Sequence, residues 1–208
     1  RREENLKELQ QLAPERIHIR AIDICQEDAT DRLQELIEEM GGMDLYLHCS
    51  GIGHQNYQLA PEIELRTLET NGTGFVRMVT AAFRYFAQQK GGHLAVISSI
   101  AGTKGLGAAP AYSATKRFQN TYIDALEQLA RIQKLPIRFT DIRPGFVATG
   151  LLNDGKHYPM LMHTEKVARH IVRCPGEKET NCRRLTGAYR ILVALWRLIP
   201  PFDLEATC

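Results

Sequence analysis

Long hydrophobic runs are missing from this sequence, because no apolar stretch approaches the roughly 20 residues of a transmembrane helix. An excess of one charge is missing too. The 26 Lys and Arg against 24 Asp and Glu leave a net charge of +2, too small to indicate a nucleic-acid partner. The composition is 44% hydrophobic and 24% charged, as in ordinary globular proteins. We therefore expect no nucleic-acid partner and no membrane association.

Paired cysteines are also lacking. The five cysteines are Cys25, Cys49, Cys174, Cys182 and Cys208. Their number is odd, and their spacing is that of neither a disulfide framework nor a metal site. Free thiols are typical of a reducing compartment, so the sequence predicts a cytoplasmic protein without a bound metal.

Helical and strand patterns alternate along the chain. Apolar periodicity predicts helices over residues 3–13, 28–40, 61–89, 111–133 and 165–172, the third of them interrupted near residues 71–74. Shorter runs predict strands over residues 17–22, 44–49, 93–98, 137–142 and 183–187. This alternation predicts an α/β fold in which helices cover both faces of a parallel sheet. A length of 208 residues fits one domain, residues 1–208.

Three residues in the middle of the chain are suited to moving a proton to or from an oxygen atom. Tyr112 and Lys116 stand four apart at the start of a predicted helix, so their side chains share one face. The ammonium group and the positive helix end favour the phenolate, so we expect a lowered pKa for Tyr112. The Ser99 hydroxyl can donate to a carbonyl oxygen that gains negative charge. A cofactor must supply any hydride, because side chains cannot.

These residues belong to a longer pattern. Tyr112-x-x-x-Lys116 begins thirteen residues after Ser99, with Asn71-Gly72-Thr73-Gly74 upstream and Pro144-Gly145-Phe146-Val147-Ala148-Thr149 downstream. The motifs, in this order and spacing, resemble the short-chain dehydrogenase/reductase family over residues 1–149. The resemblance implies a doubly wound, Rossmann-like three-layer sandwich with a mostly parallel sheet. It also implies hydride transfer between NAD(P) and a ketone or secondary alcohol.

The resemblance implies catalytic roles for four residues. Tyr112 is the general acid in reduction and the base in oxidation, Lys116 holds the nicotinamide ribose hydroxyls, and Ser99 orients the substrate carbonyl. Asn71 bends its helix and holds a water on the proton path from Lys116, with a purely structural kink as the alternative. Each side chain also has an ordinary structural interpretation, but the joint spacing of Ser99, Tyr112 and Lys116 favours catalysis.

Further residues match segments of the family that contact the cofactor. Asp23 matches an aspartate that accepts from the adenine amino group, with Ile24 beside it and a strand-end cap as the alternative. The other candidate contacts, besides Tyr112 and Lys116, are Cys49, Ser50, Gly51, Pro144, Gly145, Val147 and Thr149. Residues 48–51 read His-Cys-Ser-Gly where the family has Asn-Asn-Ala-Gly, so only backbone contacts are expected there.

The family's Gly-x-x-x-Gly-x-Gly loop after a first strand is not found in residues 1–208. We therefore expect an N-terminal strand–helix–strand segment of the parent protein to precede Arg1. One alternative is a short form that cannot bind the cofactor normally. Another is a catalytically silent nucleotide-binding or interaction protein of the same fold. The intact Ser99, Tyr112 and Lys116 favour the enzyme.

Arg1 and Arg2 stand where the resembled fold surrounds the ribose 2′-phosphate of NADP. Two guanidinium groups match phosphate oxygens, so the sequence predicts NADP, with NAD as the alternative. A solvated basic pair is the structural alternative.

Apolar side chains on two long helices predict a homodimer or homotetramer, because the resembled family pairs these helices across a two-fold axis. The residues are Phe75, Val79, Phe83, Phe86, Phe118, Tyr122 and Leu126. Residues 151–208 are predicted to form a substrate loop and a C-terminal extension. The apolar stretch 188–199 is interpreted as a helix packed on the domain or on a subunit partner, with membrane contact as the alternative.

Overall fold

A parallel sheet forms the centre of the protein in a computed structural model that describes residues 3–149 and 161–173. Within these residues, three strands run in the order β1 (Leu45–His48), β2 (Gly92–Ile97) and β3 (Ile137–Ile142). Leu45 lies opposite His93, and Gly92 lies opposite Ile137. Parallel neighbours require crossover connections, and helices supply them here.

Six α-helices lie in the same part of the chain. They are α1 (Glu3–Gln11), α2 (Ala29–Glu39), α3 (Pro61–Leu68), α4 (Phe75–Gln88), α5 (Pro110–Ile132) and α6 (Thr164–Arg173). Of these, α4 and α5 pack directly on the sheet. A π-helical turn, Glu69–Gly74, separates α3 from α4 and confirms the predicted interruption near residues 71–74. β3 has the predicted bounds, and the ends of β1, β2, α2, α5 and α6 lie within one residue of those predicted from the sequence, as do the start of α3 and the end of α4.

The main core lies between the sheet and helices α4 and α5. Alternation along a strand puts Leu94 and Val96 of β2 on one face, beside Phe139 of β3. They meet buried helical residues, which are Phe75, Val79, Ala82, Phe83, Phe86, Ile123, Leu126 and Ala130. This packing holds α5 against the sheet beside the carboxyl end of β2.

The core contains five of the seven residues that the sequence assigns to a subunit interface. These five are Phe75, Val79, Phe83, Phe86 and Leu126, and their side chains are buried within the chain. Tyr122 packs partly against the same core, whereas Phe118 is 41% exposed. The assignment of the five is therefore wrong, because the sheet and the neighbouring helix already cover their faces.

The region before α2 also differs from the prediction. Residues 17–22 do not form a strand, and among the described residues no strand pairs with them. An extended segment becomes a strand only when a neighbour accepts its backbone hydrogen bonds. Helix α1 has no buried residue in the structure, and Leu9 and Leu12 are 48% and 79% exposed. The predicted buried face of α1, which also included Leu6, is therefore wrong.

Several predictions concern residues outside the described part of the chain. They are the roles of Arg1 and Arg2, the strand at 183–187, the apolar stretch 188–199 and most of the substrate loop and extension. Among residues 3–149 and 161–173, no helix combines the length and apolar character that a membrane crossing requires.

Candidate active site

The carboxyl ends of the three parallel strands meet at one edge of the sheet, and most of the predicted site residues lie there. Residues 49–53 follow β1, Ser99 follows β2, and residues 143–149 follow β3. Helix α5 reaches the same edge beside Gly102, where a Cβ would lie only 2.7 Å from the Lys116 carbonyl oxygen. Ligands of open α/β sheets bind at this edge.

Tyr112 lies in the first turn of α5, which begins at Pro110. A proline suits that position, because the first helical N–H has no partner within the helix. The Glu64 carboxylate of α3 accepts from the next backbone N–H, that of Ala111, at 2.8 Å. The Tyr112 ring lies so close to Gly53 that a Cβ there would approach Cδ2 to 2.7 Å. Together these contacts define where the phenol stands.

The pKa of Tyr112 is not lowered as the sequence predicts. Burial raises it above its ordinary value of 10.0, and a hydrogen bond from Ser99 acts in the opposite direction. Lys116 Nζ lies 5.8 Å from the centre of the Tyr112 ring. The prediction is wrong because the loss of hydration by a buried phenolate outweighs the hydrogen bond that favours it. Tyr112 therefore retains its proton at neutral pH.

Lys116 is a buried cation, with 5% of its surface exposed. Its Nζ donates to the Ile97 carbonyl oxygen at 3.2 Å and to Gln119 Oε1 at 3.0 Å. Burial lowers the pKa of Lys116 to about 8, and the negative charge of Asp141 opposes this decrease. The ammonium group therefore begins to lose its proton only slightly above neutral pH.

A buried carboxylate on β3 contributes to the field at Lys116. Asp141 accepts from the Ser98 hydroxyl and from Arg143, whose Nε and Nη2 lie 2.7 Å and 2.6 Å from Oδ2. Such pairing is what a buried carboxylate requires. Sequence reasoning gave these three residues no role. An aspartate within an apolar strand was the signal available for finding them.

Asn71 is fully buried in the π-helical turn and joins two other segments. Its Oδ1 accepts from the Ile52 N–H at 2.9 Å, and its Nδ2 donates to the Ile52 carbonyl at 2.7 Å. The same Nδ2 lies 3.2 Å from Thr115 Oγ1 on α5. Asn71 therefore links residues 49–53, the segment after β1, to α5. Its role in holding a water stays a prediction.

Gln119 is a residue of the site that sequence reasoning missed. It is fully buried on α5, and its Nε2 donates to the Asn71 carbonyl oxygen at 2.9 Å while Oε1 accepts from Lys116. In the sequence it is one polar residue in a long helix, which is ordinarily a solvated position. A weak signal was its spacing, three residues after Lys116, which puts it on the same face.

Asp23 and Ile24 lie in the loop before α2. Asp23 Oδ1 accepts from the Cys25 N–H at 3.1 Å, as a local cap would. The Ile24 side chain is buried in a small core, and its carbonyl accepts from Arg77 Nη1 at 2.7 Å. A Cβ on Gly74 would lie 3.0 Å from that carbonyl oxygen, so α4 and this loop pack closely. Contact of either residue with a cofactor stays a prediction.

The segment after β1, residues 49–53, lies beside Lys116. Cys49 and Ser50 are exposed, and a Cβ on Gly51 would lie 3.6 Å from Lys116 Nζ. Burial and the Lys116 charge lower the pKa of the preceding His48 to about 4, so its imidazole is neutral. Although Cys49 has exposed surface, desolvation by the surrounding protein raises the pKa of its thiol against the opposing effect of the Lys116 charge, which disfavours a reactive thiolate.

The segment after β3 is connected to the segment after Ser99. The Ile100 N–H donates to the Pro144 carbonyl at 3.1 Å, and Val147 forms a parallel bridge with Met162. The remaining predicted contacts in this segment are Gly145 and Thr149. The structure therefore brings Ser99, Tyr112, Lys116 and Asn71 together beside residues 49–53. Asp23 and Ile24 lie on the separate loop before α2, while Arg1 and Arg2 are outside the described residues.

Comparison with known proteins agrees with this arrangement. The sequence profile of the short chain dehydrogenase family matches residues 1–157. An uncharacterized oxidoreductase from Myxococcus xanthus is 34% identical over 164 residues, which are 75% of this chain and 64% of that protein. Dehydrogenase/reductase SDR family member 7B from Bos taurus is 29% identical over 71% of this chain and 49% of that protein.

A solved structure shows the same fold. The short-chain dehydrogenase from Streptomyces avermitilis superimposes with a TM-score of 0.79 over 98% of this chain and 82% of that chain, at 18% identity. The present chain spans only about two thirds and one half of the lengths of its M. xanthus and B. taurus relatives, 64% and 49%.

Proposed function

Since this chain belongs to the short-chain dehydrogenase family of oxidoreductases, we propose that it transfers a hydride between NAD(P) and a ketone or secondary alcohol. The observation that carries the proposal is the arrangement around α5. The phenol of Tyr112 is protonated and hydrogen-bonded to Ser99, and it stands one helical turn from the buried ammonium group of Lys116. Together they are suited to manage the proton of a reacting oxygen.

The residues at the sheet edge fit a nicotinamide nucleotide. The hydrogen bonds of Lys116 within the described part of the chain use two of its three ammonium hydrogens, and the third is available for a ribose hydroxyl. A Cβ on Gly51 would lie 3.3 Å from Asn71 Oδ1 and 3.6 Å from Lys116 Nζ, so a glycine lets the backbone pass close to both groups. When bound, NAD(P) supplies or accepts the hydride that side chains cannot provide.

The chain's own residues manage the oxygen atom. In reduction, the Ser99 hydroxyl donates to the carbonyl oxygen and holds it beside the Tyr112 phenol. Tyr112, protonated because its pKa is raised, delivers a proton to that oxygen as negative charge develops on it. In oxidation, the Tyr112 phenolate takes the alcohol proton, so the oxidation rate should rise with pH. The positive charge of Lys116 favours the phenolate as long as the ammonium group keeps its proton, which is below its pKa of about 8.

We propose NADP as the preferred cofactor, because Arg1 and Arg2 can provide a cationic pair for its 2′-phosphate. In the full-length protein, kcat/KM for NADPH should exceed that for NADH. Changing Arg1 and Arg2 to Ala should reduce that preference. A preference for NADH, or a preference that the double substitution leaves unchanged, would show that these arginines are not the clamp.

The function itself is tested by incubating the full-length protein with NADPH or NADH and a panel of ketones. We expect reduced nicotinamide to be consumed with formation of an equal amount of alcohol. If the full-length protein binds the cofactor and turns over no carbonyl or alcohol in the panel, a catalytically silent nucleotide-binding protein replaces the enzyme.

A further inference from the structure

Gln119 connects two parts of the candidate site with both ends of its amide. Its Oε1 accepts from Lys116 Nζ at 3.0 Å, and its Nε2 donates to the Asn71 carbonyl oxygen at 2.9 Å. No part of the side chain is exposed to solvent. A glutamine is seldom placed so deeply unless its amide is hydrogen-bonded.

We propose that Gln119 is a positioning residue that holds the Lys116 ammonium group in place by tying it to the backbone of the π-helical turn. The inference rests on the function proposed above for Lys116. It adds a residue that acts through Lys116 without touching substrate or cofactor.

The chemistry of its two partners fixes the orientation of the amide. The Lys116 ammonium group only donates hydrogen bonds, and the Asn71 carbonyl only accepts them. A flipped amide would place the Gln119 NH₂ against the ammonium and its oxygen against the carbonyl. Both contacts would be repulsive, so Gln119 can satisfy both neighbours in one orientation and thereby couples their positions.

The other groups around Lys116 differ from Gln119 in kind. Asp141 on β3 acts on Lys116 through its charge, whereas the Cys49 thiol after β1 and the His48 imidazole of β1 are neutral near neutral pH. Tyr112, on the same helix, presents its ring to the ammonium. Among the described residues, Gln119 is the side chain that accepts a hydrogen bond from Nζ, and the Ile97 carbonyl is the backbone acceptor. Loss of the Gln119 acceptor should therefore destabilise the charged form of Lys116.

The first test measures Lys116 directly, without a turnover assay. Lysine labelled with ¹³C is followed by NMR against pH in the full-length protein, and the Lys116 signal is identified by its loss in Lys116→Met. Gln119→Met keeps the approximate volume but removes the acceptor, so the pKa of Lys116 should fall by about one pH unit. Gln119→Glu replaces the acceptor with a carboxylate, so the pKa should rise by a similar amount, about one pH unit.

Asn120→Ala is the matched control. Asn120 is the next buried amide of α5, its Oδ1 has no hydrogen-bond partner within the described residues, and its side chain makes no hydrogen bond to the Lys116 ammonium group there. Asn120→Ala should leave the pKa of Lys116 at its wild-type value. A Lys116 titration that neither Gln119 variant moves, or that Asn120→Ala moves equally, overturns the proposal. Either Gln119 variant suffices if the other does not fold.

Turnover separates this inference from the function on which it rests. In an active enzyme, the alkaline limb of the plot of kcat/KM against pH should move to lower pH in Gln119→Met and to higher pH in Gln119→Glu. A merely structural role would lower activity in both variants without opposite shifts. If the NMR titration moves as expected but the protein shows no turnover, the function fails and the Gln119–Lys116 link stands. If the protein turns over and the Lys116 titration does not move, the function stands and the link fails.

Discussion

Gly53 has a steric role that its position in a loop does not reveal. A Cβ at residue 53 would lie 2.7 Å from Tyr112 Cδ2 and 2.9 Å from Cε2, so Gly53→Ala must displace the ring. Because a misplacement of about 1 Å can reduce a rate about 100-fold, we expect kcat to fall by about that factor. The control is Gly105→Ala, since a Cβ at residue 105 meets nothing within 4 Å. Equal kcat values for the two variants would show that the Tyr112 ring position does not limit the reaction.

Lys116 should make stability depend on pH. Its pKa is about 8 in the folded protein against 10.5 ordinarily, so between these values the unfolded chain binds more protons than the folded one. The free energy of unfolding should therefore rise with pH across this window, by about 3 kcal/mol in total, and the burial cost is fully present below it.

The measurement is denaturant unfolding of the wild type and of Lys116→Met at a series of pH values. The free energy of unfolding of the wild type minus that of Lys116→Met isolates the contribution of Lys116 from those of the other titrating groups. This difference should rise between pH values of about 8 and 10.5. A difference that is constant with pH would mean that Lys116 is not the buried cation described above.

Among the secondary-structure elements, the π-helical turn has the most specific task. Asn71 satisfies both backbone groups of Ile52 from this turn. Asn71→Leu leaves them without partners in a partly buried place, and we expect a loss of about 2 to 4 kcal/mol in the free energy of unfolding. Thr67→Val is the matched control, because the buried Thr67 hydroxyl donates to Ile63 within its own helix. Similar losses in the two variants would contradict a linking role for the turn.

The elements show what the sequence could predict. The glycines and the asparagine at 71–74 marked the break between α3 and α4, and the segment at 137–142, which follows Pro136, gave both ends of β3. Local patterns suffice there, because apolar periodicity and helix-breaking residues act within a few positions. Residues 17–22 have an alternating pattern but no strand, since pairing depends on a neighbour that the local pattern does not contain.

The sequence predicted the candidate site to a similar extent. The spacing of Ser99, Tyr112 and Lys116 predicted that the three side chains lie close together, as they do in the structure, while their catalytic roles stay predictions. The raised pKa of Tyr112 and the part played by Gln119 could not be predicted, because both depend on burial. Burial arises from packing between elements, and spacing along one helix does not report it.

At the scale of the whole molecule, we expect subunits to contact one another through residues outside the core. The apolar side chains exposed on α3 and α5 include Leu65, Leu68 and Phe118. We expect a homodimer or homotetramer by light scattering, with an isologous interface that contains these helices. Leu65→Glu combined with Phe118→Glu should lower the mass to that of a monomer. Leu12→Glu, at an exposed position just after α1, should leave the mass unchanged, and a wild type that is monomeric at micromolar concentration would refute the interface.

The proton chemistry assigned to Tyr112 is tested most directly by one comparison. Carbonyl reduction and NADPH binding are measured in the full-length wild type and in Tyr112→Phe. We expect kcat to fall by at least about 100-fold, because the phenol is the proton donor, while the Kd for NADPH stays close to that of the wild type. Near-normal turnover in Tyr112→Phe would contradict the assignment of Tyr112 as the general acid.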